Sequence, residues 1–92
     1  MSNTLERLAL LKDVLNELNR QDELFGCQDN VHPFEWMSIL SEEVGELAEA
    51  INETFSEHIR HVERGGLHNI RNEAIQVAAV AIHAAIVAEK FI

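Results

Sequence analysis

The sequence predicts an all-α fold in which one small domain, residues 1–92, contains three helices. Gly occurs four times and Pro once in a chain that is 47% hydrophobic, and this composition favours helix over sheet. Apolar residues recur at three- and four-residue spacing in three segments, as in amphipathic helices. Short segments containing Gly or Pro separate these three and mark the turns. The chain is near the lower limit of length for burying a core alone.

The first helix is expected to begin after Asn3, which can cap it, with Glu6 in the position of a capping-box partner. Its apolar residues repeat at 3-4-3 spacing and form one seam: Leu8, Leu11, Leu15 and Leu18. The other positions are mostly polar, which is typical of an amphipathic helix. The seam stops at Asp22, so we expect the helix to end near Phe25-Gly26 and a loop to follow over 26–31.

The second helix is expected to begin at Pro33, because proline suits the first turn of a helix. Its apolar seam consists of Met37, Leu40, Val44, Leu47, Ile51, Phe55, Ile59 and Val62. This seam predicts one long helix to about Arg64, where Gly65-Gly66 supplies a stop. The alternative is a break within 52–56, where Asn, Thr and Ser are weak helix formers.

The third helix is expected to run from about Leu67 to Phe91, and its second half is apolar nearly all round. Two neighbouring helices cannot cover every side of such a helix, and small residues (Ala78, Ala81 and Ala85) allow a further helix to approach closely. We therefore expect a homodimer or homotetramer in which third helices pack across the interface and complete a four-helix bundle.

Charge and cysteine content restrict the classes of function. The formal net charge of −9 argues against binding to a nucleic-acid polymer or an anionic membrane, and it is compatible with a bound cation. The single cysteine, Cys27, excludes an internal disulfide and favours a cytoplasmic location. The apolar run over 77–88 is too short for a membrane span and contains His83, so we expect no membrane association.

Acidic residues interrupt otherwise apolar stripes on two of the predicted helices. At 100° per residue, Glu73 and Gln76 share a stripe with Val77, Val80, Ala84 and Val87. Glu43 and Glu46 likewise share a stripe of the second helix, together with Ile39 and Ala50. Because i, i+3 side chains are neighbours, two ionised carboxylates about 4 Å apart repel by about 4 kcal/mol at an effective dielectric constant of 20.

A cation would relieve this repulsion, and oxygen ligands select Mg²⁺ or Mn²⁺ over zinc. Acids that project inward from facing helices are a common way for helical bundles to hold metals. The alternative is that these glutamates lie on solvated helix faces, where i, i+3 acids are also common.

The segment from Trp36 to Ile51 resembles the first motif, EExxE, of the MazG-like all-α nucleoside triphosphate pyrophosphohydrolases. Glu73 with Gln76 corresponds to the second motif of that family, ExxD. The resemblance covers roughly residues 30–90. It implies Mg²⁺-dependent hydrolysis of NTPs or dNTPs to the monophosphate and pyrophosphate.

The resemblance also implies roles for individual residues. Glu43, Glu46 and Glu73 would be metal ligands, and Gln76 would stand in place of the family's Asp. That replacement implies weaker metal binding, a changed metal count or lost catalysis. Glu42 would orient the attacking water or act as an outer-shell ligand.

Substrate contacts are expected from aromatic and basic residues. By resemblance, Phe25, His32 and Trp36 are candidates to stack on the base, with packing as the alternative role. Arg71, together with Arg60 and Arg64, is in the right region to contact a triphosphate, with ordinary surface charge as the alternative. We expect His83 to be a core or interface histidine; the alternative is a metal ligand that replaces the missing Asp.

Two other functions remain open at this stage. One is a non-catalytic family member that binds a nucleotide or serves as a helical interaction module. The other is a related hydrolase acting on a nucleotide-sugar or phosphoribosyl nucleotide.

Overall fold

A computed structural model describes residues 3–26, 31–55 and 66–92. Within these ranges the chain forms three helices and no strand: α1 (Thr4–Phe25), α2 (Pro33–Phe55) and α3 (Gly66–Glu89). The all-α class predicted from the sequence is confirmed for this part of the chain. A four-helix bundle would need a helix from a second copy, and that expectation stays a prediction.

The first helix begins and ends where the sequence predicts. The side chain of Asn3 accepts a hydrogen bond of 2.9 Å from the Glu6 N–H, which satisfies one of the free donors of the first turn. At the other end, the Gly26 N–H donates to the Asp22 carbonyl over 2.8 Å. Gly26 has φ 75°, a backbone conformation that glycine adopts without steric cost.

The second and third helices agree with the prediction in the part of the chain that is described. The His32 carbonyl accepts hydrogen bonds from the N–H groups of Glu35 and Trp36, so α2 begins at Pro33 as expected. α2 reaches Phe55. The predicted continuation to Arg64 lies in residues 56–65, outside the described residues.

The third helix lies between the other two. α3 packs against both α1 and α2, whereas α1 and α2 make few contacts with each other. Arg71 of α3 forms an ion pair with Asp13, and His83 approaches Asp22 with its Nε2 3.9 Å from the carboxylate. The later residue of α1 lies opposite the later residue of α3, so α1 runs parallel to α3.

α2 runs antiparallel to α3. Trp36, near the start of α2, stacks on His83 with ring centroids 5.3 Å apart, while Glu46 approaches Glu73, ten residues earlier on α3. The main core cluster is small and lies at the Trp36 end. It consists of Trp36, Val80 and Val87, with Val31, Ile39, Leu40 and Ala84 packed around them.

Most residues of the apolar seams of α1 and α2 are exposed in the single chain. An amphipathic helix normally turns such a seam inward, yet Leu8, Leu11 and Leu15 are 56, 60 and 55% exposed. α1 instead buries Val14 and Gln21. The seam of α2 is divided: Met37, Val44 and Ile51 are exposed, whereas Leu40 and Leu47 are half-buried. A single copy therefore leaves much of its two apolar seams in water.

α3 is long and apolar enough to cross a membrane by length and composition alone. The helix extends beyond the apolar run over 77–88 that the sequence pattern isolates. Buried core helices of soluble proteins satisfy the same criterion, but only 22% of the apolar window of α3 is buried in the single chain.

We expect the chain to self-associate through these exposed seams, because burying one leucine side chain stabilises an assembly by roughly 1.5–3 kcal/mol. Leu11→Glu places a charge in the α1 seam and should shift the assembly towards monomer. Sedimentation velocity or light scattering measures the shift. Asn16→Glu is the matched control: it adds the same charge at an exposed position outside the seam, and it should leave the assembly unchanged. A wild-type protein that is a well-folded monomer would contradict the prediction.

Candidate metal centre

Three glutamates from two helices come together at the α2–α3 contact. Glu43 and Glu46 lie one turn apart on α2, and Glu73 faces them from α3. One carboxylate oxygen from each residue lies within 4.8 Å of the other two. This convergence requires the stripes that carry the acids, and not the leucine seams, to face the neighbouring helix.

The carboxylates are shielded from water to different degrees. Glu43 and Glu73 are half-buried and Glu46 is exposed, so the cluster opens to solvent on the Glu46 side. The Oε2 atoms of Glu43 and Glu73 are buried without a hydrogen-bond partner in the described ranges. A buried carboxylate oxygen without a hydrogen-bond donor is less stable than the same oxygen hydrated by water. These two atoms can therefore bind a cation or a proton.

Two glutamates of the cluster, Glu43 and Glu73, have raised pKa values. Burial raises the pKa of Glu43, and repulsion from Glu46, Glu73, Glu42 and Glu17 raises it further. Burial also raises the pKa of Glu73, and the charge of Glu46 and a hydrogen bond with it add to the effect. Since two ionised carboxylates have no proton to share, that hydrogen bond exists only when one of the pair is protonated.

A divalent cation fits this set of ligands. Two ionised carboxylates 4.8 Å apart repel by about 3.5 kcal/mol at an effective dielectric constant of 20, and a +2 charge between them replaces repulsion by attraction. Carboxylate oxygens without sulfur or imidazole are the ligand set of Mg²⁺ and Mn²⁺. Oxygens on opposite sides of one Mg²⁺ are about 4.2 Å apart, so small side-chain rotations would close the cluster around an ion.

The other two motif residues lie next to the cluster. Gln76 is half-buried one turn after Glu73, and its Cβ is therefore expected about 5–6 Å from that of Glu73. Glu42 is exposed and contributes to raising the pKa of Glu43. Its position suits a residue that contacts water or substrate at the rim better than a direct ligand.

The three aromatic candidates for base stacking occupy different environments. Phe25 is exposed at the end of α1. The His32 ring is exposed, stacks on Phe34 with centroids 5.4 Å apart, and accepts a hydrogen bond from the Phe34 N–H. Trp36 is buried and covered on one face by His83. Phe25 and His32 have accessible rings, whereas Trp36 packs in the core of this chain.

Arg71 faces α1 and not the acidic cluster. It lies two residues before Glu73, which places the two side chains about 200° apart around α3. Its guanidinium pairs with Asp13 at the rim of an apolar groove of about 340 Å³ between α1 and α3. Arg60 and Arg64, which are predicted to contact phosphate, lie outside the described residues. Cys27, His58 and His61 lie outside them too.

His83, the core or interface histidine of the sequence analysis, is buried against Trp36. Both of its ring nitrogens and the Trp36 Nε1 lack a hydrogen-bond partner in the described ranges. Ten residues separate His83 from Glu73, about 15 Å along a helix, so His83 is remote from the carboxylates.

A polar group on α1 was not predicted from the sequence. Glu17 accepts hydrogen bonds from Arg20 Nε over 2.8 Å and Arg20 Nη2 over 2.7 Å, and a third from Gln21 Nε2 over 2.7 Å. The charge of Glu17 contributes to raising the pKa of Glu43, so α1 adds negative charge near the cluster. The signal was present in the sequence: Val14, Glu17 and Gln21 follow a 3-4 spacing on one stripe of α1.

The raised pKa values predict how the stability of the metal-free protein depends on pH. Unfolded Glu43 and Glu73 titrate near their ordinary value of 4.5, and the folded chain binds those protons more strongly. Their contribution to stability is therefore present below pH 4.5 and is lost as the pH rises through their higher folded pKa values. The measurement is the melting temperature in EDTA from about pH 4.5 to 7.5.

Hydrogen bonds with Arg20 lower the pKa of Glu17. Glu17 therefore contributes to stability with the opposite sign to Glu43 and Glu73, and its contribution is lost as the pH falls. The doubly substituted protein Glu43→Gln/Glu73→Gln separates the two effects. The melting temperature of the wild type should decline relative to this protein as the pH rises. Two parallel curves would contradict the prediction.

Removing one acid should stabilise the metal-free protein and weaken its response to metal. At neutral pH, Glu73→Gln should melt at a higher temperature than the wild type in EDTA, because it removes repulsion inside the cluster. Mg²⁺ at a hundredfold excess over its Kd should stabilise the wild type by about 2.7 kcal/mol and stabilise Glu73→Gln less. Glu49→Gln, an exposed acid of α2 outside the cluster, is the control and should respond to Mg²⁺ like the wild type.

The chain was compared with models of protein families, with curated proteins and with solved structures, and nothing matched it. Its resemblance to the MazG-like enzymes therefore rests on the residues quoted from its own sequence. Independently of that resemblance, Glu43, Glu46 and Glu73 form a three-carboxylate cluster whose geometry and charge suit a divalent cation.

Proposed function

We propose that the protein is a MazG-like, divalent-metal-dependent nucleoside triphosphate pyrophosphohydrolase. The observation that carries the proposal is the convergence of Glu43 and Glu46 on Glu73 across the α2–α3 contact. These are the three acids that the two motifs assign to metal binding. A solvated-face interpretation of the acids is less favoured, because two of the carboxylates have buried oxygens without hydrogen-bond partners in the described ranges.

The reaction adds water across the anhydride between the α- and β-phosphates and gives the nucleoside monophosphate and pyrophosphate. Such hydrolysis needs a positioned water and neutralisation of charge on the phosphoryl oxygens. Glu43, Glu46 and Glu73 would hold a Mg²⁺ ion, which would supply this charge neutralisation and make water at the site more acidic. The exposed Glu42 would accept a proton from the attacking water or orient it.

The remaining features belong to the same proposal. Gln76 offers an amide oxygen where a fourth acid would otherwise stand, so the site carries one negative charge fewer and holds its metal less strongly. The exposed seams of α1 and α2 support assembly into a homodimer or homotetramer. A cytoplasmic location, expected from the lone Cys27, suits an enzyme that acts on free nucleotides.

A nucleotide-binding or helical interaction module without catalysis is the second candidate. Gln76 is the observation that favours it, because the loss of one anionic ligand can leave metal and nucleotide binding while it removes turnover. Both candidates predict a metal-dependent increase in melting temperature, and only the first predicts release of pyrophosphate. A hydrolase for a nucleotide sugar or a phosphoribosyl nucleotide would be detected only when that substrate is added to the assay.

Pyrophosphate release from a panel of NTPs and dNTPs with Mg²⁺ or Mn²⁺ tests the enzyme assignment. Glu46→Gln should lower kcat/KM by about a hundredfold or more, since it removes a metal ligand whose contribution is several kcal/mol. Gln76→Asp should raise metal affinity or activity, and Glu49→Gln should leave both unchanged. No turnover by the wild type or by Gln76→Asp would rule out the enzyme and favour the binding module.

A further inference from the structure

Glu17, which pairs with Arg20 on α1, lies at about the same height along α3 as the acidic cluster. Along α3, the contacts of α1 run from Arg71, opposite Asp13, to His83, opposite Asp22. Interpolation between these pairs places Glu17 opposite about residue 76. The contacts of α2 with α3 run from Glu73 to His83 in the opposite direction and place Glu43 at nearly the same height.

Charge interactions agree with this placement. The carboxylates of Glu17 and Glu43 repel each other strongly enough to contribute to the raised pKa of Glu43. Hydrogen bonds with Glu17 raise the pKa of Arg20, and the charge of Glu43 adds to that effect across the gap between α1 and α2. The Arg20 guanidinium therefore lies in the electric field of the cluster.

Arg20 is held in a defined orientation. Glu17 accepts from its Nε–H and from one Nη2–H, and this two-point contact fixes the plane of the guanidinium. Glu17 is in turn held by Gln21, whose side chain is buried. Glu17 is 11% exposed and Arg20 is 52% exposed, so the anchor is shielded while the guanidinium faces solvent.

The guanidinium retains donors for a ligand. Of its five N–H groups, two are used by Glu17 and three are free of that contact. Among the arginines expected from the sequence to contact phosphate, Arg71 is paired with Asp13 and faces away from the acidic cluster. A triphosphate bound at a cluster of carboxylates needs positive charge beyond that of the metal ion, because its own oxygens are anionic.

We propose that Arg20 of α1 is a phosphate-binding residue that contacts the phosphate chain of a substrate whose metal ion is held by Glu43, Glu46 and Glu73. Glu17 is the positioning residue that holds the guanidinium. This inference rests on the proposed metal-dependent nucleotide function and extends it to α1, a helix outside both motifs. Phosphate recognition would then require all three helices.

The experiment separates metal binding from phosphate binding. Mn²⁺ alone, followed by electron paramagnetic resonance, reports on the carboxylates. Calorimetric titration with magnesium tripolyphosphate reports on the phosphate contact without any contribution from a base. Both are measured for the full-length wild type, Arg20→Ala, Arg20→Lys and the control Lys12→Ala, which removes an exposed cation of the same helix.

Arg20→Ala should bind Mn²⁺ as tightly as the wild type or more tightly, because a nearby cation is removed. It should bind magnesium tripolyphosphate at least tenfold more weakly, since hydrogen bonds between charged groups are lost. Arg20→Lys keeps the charge but lacks the planar guanidinium. Its affinity for magnesium tripolyphosphate should lie between those of the wild type and Arg20→Ala. Lys12→Ala should match the wild type.

Three results would overturn the inference. Unchanged tripolyphosphate affinity in Arg20→Ala would show that Arg20 does not contact phosphate, and the metal site would stand. An equal loss of Mn²⁺ and tripolyphosphate affinity would assign Arg20 a structural role only. A wild type that binds no Mn²⁺ would refute the proposed function, and the role of Arg20 would fall with it.

Discussion

Repulsion among carboxylates at the contact between α2 and α3 is the constraint on which the rest of this small protein depends. Glu43, Glu46 and Glu73 bring three potential negative charges within 4.8 Å where two neighbouring helices would ordinarily bury apolar side chains. Protons relieve the repulsion at low pH, and a divalent cation relieves it at neutral pH. The metal-free fold is therefore under electrostatic strain at neutral pH.

This constraint accounts for the unusual distribution of apolar surface. A helix has a limited circumference, and a stripe that presents acids to its neighbour cannot at the same time present leucines to it. In α1 and α2 the stripes with the acids face inward, and most of the leucine-rich seams is left exposed. The acids at the contacts with α3 and the exposed leucines are thus two consequences of one choice of helix rotation.

Much of the site can be predicted from sequence because helical periodicity fixes which residues share a face. Glu43 and Glu46 lie three residues apart, and any helix through them makes them neighbours; Glu73 interrupts an apolar stripe and is conspicuous for that reason. The group formed by Glu17 and Arg20 was missed because α1 has an obvious leucine seam. That seam suggested the packing face, while the stripe that packs on α3 contains a glutamate and a glutamine.

The sequence by itself determined the helices in the described ranges, the cap at Asn3, the stop at Gly26 and the pairing of acids along α2, because all of these depend on neighbours within one or two turns. Only the tertiary structure decided which stripe of each helix faces α3, that Trp36 packs on His83, that Arg71 turns to Asp13, and that Glu17 reaches the charge of Glu43. These features depend on the rotation and direction of helices about one another. Local periodicity leaves that rotation free when a helix carries both an apolar seam and an acidic stripe.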